Sequence, residues 1–145
     1  MNKKRLYHKY YSSLSGGLEV LDVMHNLLII DDEDIIINLL HDYFSHLGYS
    51  VVTAKNGSDG IDLFNTRPNF DLVITDINMP GIDGNAVAKS IRLSQRSKVP
   101  IVGMSGYNDK TENQLFDFML AKPFNLKELM ALVKTIEGEN EAHLT

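Results

Sequence analysis

The sequence contains no cysteine, and this absence removes several kinds of chemistry from consideration. Without thiols the chain cannot form disulfide bonds, thiolate metal sites or a cysteine nucleophile. No apolar run approaches the roughly 20 residues that a membrane-spanning helix needs. Lys3, Lys4 and Arg5 make the N-terminus basic, but no apolar block of signal-peptide length follows them, so we expect no membrane span, no export and a cytoplasmic protein.

A surplus of positive charge and internal repeats are missing as well. The formal net charge of −5 at pH 7 argues against nucleic acid as the main partner. What is present is a chain of 145 residues with 43% hydrophobic content. A chain of this size can bury roughly 70% of the surface that its unfolded form exposes. Length and composition therefore predict one globular domain.

Residues 1–23 differ from the rest of the chain. They contain four Lys or Arg residues against two acids, and no sustained apolar period. We expect them to form a poorly ordered extension, since chain termini are prone to disorder. A basic, tyrosine-bearing tail that touches nucleic acid or a partner protein is one alternative, and Met24 as the true start of the protein is another. The predicted folded domain covers residues 24–138, and residues 139–145 form a short C-terminal tail.

Short apolar runs alternate with helical periods from Leu27 onward. We predict strands over residues 27–30, 50–54, 71–76, 100–105 and 118–121. Helices are predicted over residues 34–47, 58–65, 85–94 and 125 to about 137, with a weak helix over 109–115. Asp32 or Asp34 can cap the first helix, and a capping-box-like start at Asn125 begins the last. Five strands that alternate with five helices predict an α/β fold with a parallel sheet covered on both faces.

The third predicted strand ends in a carboxylate. Its apolar run, residues 72–75, leads directly into Asp76, after which Pro80, Gly81 and Gly84 require the chain to turn. The carboxyl ends of strands are where open α/β sheets place their ligands. A solvated loop aspartate is the plain alternative for one such residue, so the other strand ends decide the interpretation.

Three other predicted strands also lead into polar side chains that could serve a phosphate ligand. Asp31 and Asp32 follow the first strand, Ser105 ends the fourth, and Lys122 comes after the fifth. Each has an ordinary alternative: a helix cap for one of the aspartates, a turn serine, and a surface-loop lysine. Because parallel strands present their carboxyl ends at one edge of the sheet, we expect these groups to converge with Asp76.

The carboxylates gathered at this edge repel one another, so each must take up a proton or share a cation. Oxygen-only ligation suits Mg²⁺, which uses one or two carboxylates together with substrate phosphate. A lysine ammonium and a serine hydroxyl beside such a metal complement a phosphoryl group, and a carboxylate can attack phosphorus to form an acyl phosphate. The edge therefore predicts magnesium-dependent phosphoryl chemistry.

Four stretches carry a resemblance to a known family: LLIIDDED, VITDINMPGIDG, IVGMS and AKPF. Together they resemble the receiver domain of two-component response regulators, in a single-domain form like the chemotaxis regulators, over about residues 26–137. The resemblance implies a phosphoprotein of a phosphorelay with a flavodoxin-like fold. That fold is a doubly wound sheet of five parallel strands in the order 2-1-3-4-5, with five helices.

The same resemblance assigns roles at the sheet edge. It implies that Asp76 is the phosphoacceptor, which takes a phosphoryl group from a sensor histidine kinase, a histidine phosphotransfer protein or a small phosphodonor. It implies that Mg²⁺ is bound directly by Asp32, largely through water by Asp31, and also by Asp76 and the backbone carbonyl of Asn78.

The other two edge residues also receive roles from the resemblance. Ser105 is implied to bond a phosphoryl oxygen, and Lys122 to pair with the phosphoryl charge. Two features depart from the family pattern. Met119 stands three positions before Lys122, where the family usually has an aromatic switch residue. The span from Ser105 to Lys122 is also short, so we expect the fourth helix to be short or irregular.

The expected function is that of a stand-alone receiver, whose partners bind according to its phosphorylation state. We expect no enzyme activity on other substrates, although the domain assists its own phosphorylation and dephosphorylation. We also expect an unnamed downstream protein, no direct DNA binding because no effector domain follows in this sequence, and a monomer or weak phosphorylation-dependent dimer. One alternative is an aspartyl-phosphate phosphatase or mutase, which needs a second Asp where Asn78 stands. Another is a receiver that binds partners without being phosphorylated.

A chain that begins at Met24 should have a melting temperature close to that of the full chain, because the core pattern begins at Leu27. Thermal denaturation of the two chains, followed by circular dichroism, measures the difference. A loss of several degrees, on the order of 1 kcal/mol for a domain of this size, would show instead that residues 1–23 pack on the domain.

Overall fold

The computed structural model of the chain describes residues 26–143, with side chains described up to residue 138. In this range five parallel strands form one sheet: β1 (Asn26–Ile30), β2 (Ser50–Ala54), β3 (Leu72–Asp76), β4 (Ile101–Ser105) and β5 (Phe118–Ala121). The strand order is β2-β1-β3-β4-β5. This order confirms the predicted flavodoxin-like arrangement, while the extension expected over residues 1–23 lies outside the described residues.

Within residues 26–143, four α-helices and one 3-10 turn connect or follow the strands. They are α1 (Asp34–His46), α2 (Gly57–Thr66), α3 (Gly84–Arg92), the 3-10 turn (Asn113–Leu115) and α4 (Leu126–His143). The fourth of the five predicted helices is thus reduced to a 3-10 turn of three residues. It is short, as expected, but the weak α-helix predicted over 109–115 was wrong in both type and length.

Strands β1 and β3 are buried along nearly their whole length because helices cover both faces of the sheet. Successive side chains of a strand point to opposite faces, so Leu27 and Ile29 join one core layer, and Leu28 and Ile30 join the other. Helices α1 and α4 complete the first layer with Ile37, Leu40, Phe44, Leu129, Val133 and Ile136. Helices α2 and α3 complete the second layer with Phe64, Val87, Ala88 and Ile91.

The start of α1 differs from the prediction that Asp32 or Asp34 caps it. Glu33 occupies the N-cap position and makes no side-chain capping hydrogen bond. The backbone N–H of Glu33 instead donates to Asp31 Oδ1 at 2.9 Å. The buried carboxylate of Asp31 at the end of β1 therefore fixes the path of the chain into α1. At the other end of the helix, Gly48 adopts a positive φ of 99°.

Helix α4 begins as predicted and continues further than predicted. The backbone N–H of Glu128 donates to Asn125 Oδ1 at 2.9 Å, which is the first half of the expected capping box. The helix runs to His143, past the predicted end near residue 137 and into the predicted C-terminal tail. Tyr49 Oη donates to Glu137 Oε1 at 2.5 Å and ties this helix to the start of β2. Burial, followed by this bond, raises the pKa of Tyr49.

Arg92, at the end of α3, holds the connection between β4 and β5 in place of a packed helix. Its Nε donates to the carbonyl of Leu115 at 3.0 Å, and its Nη1 donates to the carbonyls of Ser97 at 2.8 Å and Val99 at 2.7 Å. Its Nη2 bonds Asp117 Oδ2 at 2.8 Å. One side chain thus joins the stretch before β4, at Ser97 and Val99, to the stretch before β5, at Leu115 and Asp117.

Replacing Arg92 by Met should lower the stability of the domain, because Met retains the apolar stem but removes the donor to three carbonyls and the cation beside Asp117, which keeps the bond from the Ile101 N–H. We expect a loss of about 2 kcal/mol, or a melting temperature lower by about 10 °C. Thermal and urea denaturation measure the change. The matched control is Lys89→Met, on an exposed position of the same helix. Equal stability of Arg92→Met and the wild type would contradict this account.

Candidate functional site

The carboxyl ends of β1, β3, β4 and β5 bring the predicted site residues to one edge of the sheet. Ile30 pairs with Thr75, so Asp31 and Asp76 follow on neighbouring strands. Ser105 pairs with Ala121, and the N–H of Lys122 donates to the Ser105 carbonyl at 2.7 Å. The convergence predicted from the parallel sheet is therefore present in the structure.

Lys122 is the centre of the ion pairs at this edge. Its Nζ lies 3.0 Å from Asp76 Oδ1, 3.4 Å from Asp31 Oδ2 and 3.7 Å from Glu33 Oε1. Asp31 is fully buried and Asp76 is only 3% exposed. Sequence reasoning did not assign a role to Glu33, although it directly follows the acidic pair, and its position beside Lys122 depends on the turn into α1.

Three carboxylates form a set that could hold a metal ion. One oxygen each of Asp31, Asp32 and Asp76 lies within 4.8 Å of the other two. Asp31 and Asp76 are buried, whereas Asp32 is exposed and opens the group to solvent. Oxygen donors of this kind fit Mg²⁺, which keeps several waters and uses few protein ligands. Asn78, whose carbonyl the resemblance adds to this set, is exposed in the loop that follows β3.

Electrostatics at the edge favours a cation. Burial raises the pKa of Asp76 to about 6, against the effect of the Lys122 hydrogen bond and with the support of the Asp31 and Asp32 charges. Burial also raises the pKa of Asp31, although the Glu33 N–H and Lys122 act in the opposite direction. For Lys122, burial lowers the pKa, but the bond to Asp76 and the charge of Asp31 outweigh it, so its pKa is raised. One ammonium therefore faces an excess of carboxylate charge.

The loop after β3 packs tightly on the backbone of Asp76. The N–H of Ile77 donates to the Met104 carbonyl at 3.0 Å, and the N–H of Gly84 donates to the Ile77 carbonyl at 2.9 Å. A Cβ atom on Gly84 would lie 2.2 Å from the carbonyl oxygen of Asp76. Only glycine permits this approach, so the N-terminus of α3 is in direct contact with the site.

The remaining predicted residues lie around this centre. Ser105 is half-buried at the end of β4. Met119, which takes the place of the expected aromatic residue, packs inward: a Cβ on Gly103 would be 2.7 Å from Met119 Sδ and 3.1 Å from the Phe116 ring. Tyr107, by contrast, is 98% exposed. The thioether therefore fills the space over Gly103, while the nearest aromatic side chain after Ser105 points into solvent.

Two curated proteins illustrate the similarity of this chain to known sequences. It is 37% identical over 117 residues to a probable transcriptional regulator, ycf27, of Cyanidium caldarium, covering 77% of this chain and 46% of that protein. It is 31% identical over 120 residues to the alkaline phosphatase synthesis transcriptional regulatory protein PhoP of Bacillus subtilis, covering 79% and 49%. The chain thus spans about half the length of the curated relatives it matches.

Solved structures share the fold over nearly their full length. The response regulator protein TrrA of Thermotoga maritima, crystallised in complex with Mg(2+)-BeF, is 35% identical with a TM-score of 0.70, covering 78% of this chain and 99% of that one. A response regulator receiver domain protein of Clostridium thermocellum superposes with a TM-score of 0.75 at 22% identity, covering 82% and 98%. At 22% identity, the similarity to the Clostridium thermocellum protein supports the fold only.

Among the described residues, no helix has the length and apolar character needed to cross a membrane.

The family assignment rests on the sequence profile together with this geometry. The family model described as the response regulator receiver domain matches residues 27–134, which is most of the chain. This chain therefore belongs to the receiver domain family of two-component response regulators.

Proposed function

We propose that Asp76 accepts a phosphoryl group in a Mg²⁺-dependent reaction and that partner proteins respond to its phosphorylation state. The observation that carries the proposal is the buried Asp76 carboxylate, 3.0 Å from Lys122 and grouped with Asp31 and Asp32. A merely structural ion pair would not require a third, exposed carboxylate beside the two buried ones. The complex of the related TrrA with Mg(2+)-BeF supports the same assignment.

The metal ligands in this proposal are Asp31, Asp32, Asp76 and the carbonyl of Asn78. A bound Mg²⁺ supplies positive charge that offsets both the carboxylates and the oxygens of an incoming phosphoryl group. Asp31, fully buried and hydrogen-bonded to the Glu33 N–H, orients its carboxylate at the base of the site. Asp32 lies at the exposed side, where a hydrated ion can be exchanged with solvent.

The transfer step uses the oxygen of Asp76 that Lys122 does not hold. This oxygen attacks phosphorus and forms an acyl phosphate, while the bond from phosphorus to the donor breaks and its electron pair leaves with the donor. Lys122 then neutralises charge on the phosphoryl oxygens, and the hydroxyl of Ser105 donates a hydrogen bond to one of them. The chain thereby assists its own phosphorylation, with no role as an enzyme on other substrates.

A groove beside Lys122 is the place where a phosphoryl donor protein would dock. It has a volume of about 400 Å³ and is lined by Glu33, Ile36, Leu39, Lys122, Pro123, Phe124 and Leu126. Its apolar wall next to a charged centre suits a protein that must bring a phosphohistidine to Asp76. The donor that we propose, a sensor histidine kinase or a histidine phosphotransfer protein, follows from membership of the receiver domain family.

The downstream response is the less determined part of the proposal. The curated relatives are named transcriptional regulators, and the chain spans about half their length. Our expectations of a stand-alone receiver, of no direct DNA binding and of a monomer or weak phosphorylation-dependent dimer therefore remain predictions. The alternative of an aspartyl-phosphate phosphatase or mutase is disfavoured because Asn78 stands where such an enzyme needs a second Asp as general acid.

Asp76→Asn should abolish Mg²⁺-dependent labelling by acetyl phosphate, because the amide retains the shape of the side chain but is not a nucleophile. Intact-mass measurement with Mg²⁺ or with EDTA detects the phosphoryl group, and circular dichroism verifies the fold. Asp62→Asn, at an exposed position on α2, is the matched control and should be labelled normally. Labelling of Asp76→Asn at the wild-type rate would place the acceptor elsewhere.

Lys122→Ala should retain some labelling but show a weaker conformational response, because the nucleophile remains while its charge partner is lost.

Without metal, Asp76→Asn should also be more stable than the wild type above pH 6. The pKa of Asp76 is raised from 3.8 to about 6 in the folded state, so ionising this carboxylate costs stability as the pH rises through that interval. We expect a difference of about 2 kcal/mol at pH 7.5 in EDTA, which shrinks toward pH 4 and is reduced by Mg²⁺. Urea denaturation at several pH values measures it. A wild type that is the more stable protein at pH 7.5 in EDTA would refute this electrostatic account.

A further inference from the structure

Helix α3 holds the segment between β4 and β5 at a second point besides Arg92. The side chain of Asn85, in the first turn of α3, donates from Nδ2 to the Lys110 carbonyl at 2.8 Å. Its Oδ1 accepts a hydrogen bond from the Glu112 N–H at 2.9 Å. Asn85 and Arg92 are seven residues apart, close to two helical turns, so they project from the same side of the helix.

The end of the segment over residues 106–117 is fixed by Leu115 and Phe116, which pack against the core, but residues 106–114 have little else to hold them. Two hydrogen bonds close the first turn of the segment locally. Asp109 Oδ2 accepts from the Gly106 N–H at 2.6 Å, and the Asp109 N–H donates to the Gly106 carbonyl at 3.2 Å. A single 3-10 turn follows in place of a helix. Lys110 and Glu112 are exposed or nearly so. Since residues 106–114 contain no buried side chain, the side-chain bonds from Asn85 contribute most of what positions this part of the segment.

Asn85 also directly follows Gly84, the residue that contacts the backbone of Asp76. Gly84 lies against the carbonyl oxygen of Asp76, at a distance that excludes any side chain, and its N–H is bonded to Ile77. Asp83 caps the helix by accepting from the Ala86 N–H at 2.9 Å. A movement of the Asp76 backbone must therefore displace the capped first turn of α3 as a unit, and Asn85 with it.

We propose that Asn85 is the positioning residue that couples the state of Asp76 to the 106–117 segment. Both of its bonds come from one amide group, so a small rotation of this side chain weakens them together. Phosphorylation of Asp76 thereby changes the segment through α3, in addition to any pull through Ser105 on the strand itself. This inference rests on the proposed function, since it needs two states of Asp76.

The test compares Asn85→Ala with the wild type by amide hydrogen exchange, in EDTA and with Mg²⁺ plus beryllium fluoride as the phosphoryl mimic. In EDTA, the amides of residues 110–112 should exchange about tenfold faster in Asn85→Ala, as expected for the loss of two modest hydrogen bonds. The change that the mimic produces over 106–117 should fall to less than about half of the wild-type change, while acetyl phosphate labelling stays within about twofold. Asn65→Ala, at an exposed position on α2, is the matched control.

A second variant separates the two bonds. Asn85→Asp retains an acceptor for the Glu112 N–H but replaces the donor to the Lys110 carbonyl by an oxygen, so its exchange should be intermediate. Wild-type exchange and a full response to the mimic in Asn85→Ala would overturn the coupling role. Loss of labelling in that variant would also overturn it, because Asn85 would then act on the reaction itself. Absence of labelling in the wild type would instead remove the proposed function, and the exchange in EDTA would still decide whether Asn85 tethers the segment.

Discussion

The contact of Lys122 with two buried carboxylates is the interaction on which the rest of this structure depends. Asp31 and Asp76 lose nearly all their water on folding, and a single ammonium lies within 3.4 Å of both. Burial of two like charges is costly, and one lysine does not compensate fully, which is why the pKa of Asp76 rises to about 6. The residual negative charge of this site favours a cation, and Asp32 leaves the site open to solvent at the sheet edge.

The parallel sheet explains why the groups meet. Strands β1, β3, β4 and β5 all run in one direction, so each delivers the residue that follows it to the same edge. The hydrophobic layers on both faces hold these strand ends in register. The charged centre therefore costs stability locally while the packed strands beneath it supply the stability of the whole domain.

Helix α3 links this charged centre to the connection between β4 and β5, which contains a 3-10 turn and no α-helix. Gly84 touches the backbone of Asp76, and Arg92 at the far end of the helix bonds the chain on both sides of β4. Asn85, next to Gly84, bonds the segment between β4 and β5, where the structure has a 3-10 turn in place of a crossover α-helix. A helix packs through many apolar contacts, whereas residues 106–114 bury no side chain and are positioned by a few directional bonds, so their position is more sensitive to where α3 lies.

The sequence by itself determined the strands and the meeting of Asp31, Asp76 and Lys122 at one edge, because apolar periodicity and turn residues act over short distances and a parallel sheet has one carboxyl edge. The strand order was implied only by the resemblance to receiver domains. The sequence did not reveal that Asp31 bonds the start of α1 or that Glu33 joins Lys122, since both depend on how one turn bends. Nor did it show that Asn85 bonds residues 25 or more positions away, or that the weak fourth helix is a 3-10 turn. Partners so distant in the chain are chosen by packing of the folded domain, and a polar residue on a helix surface carries no local signal of which backbone it will meet.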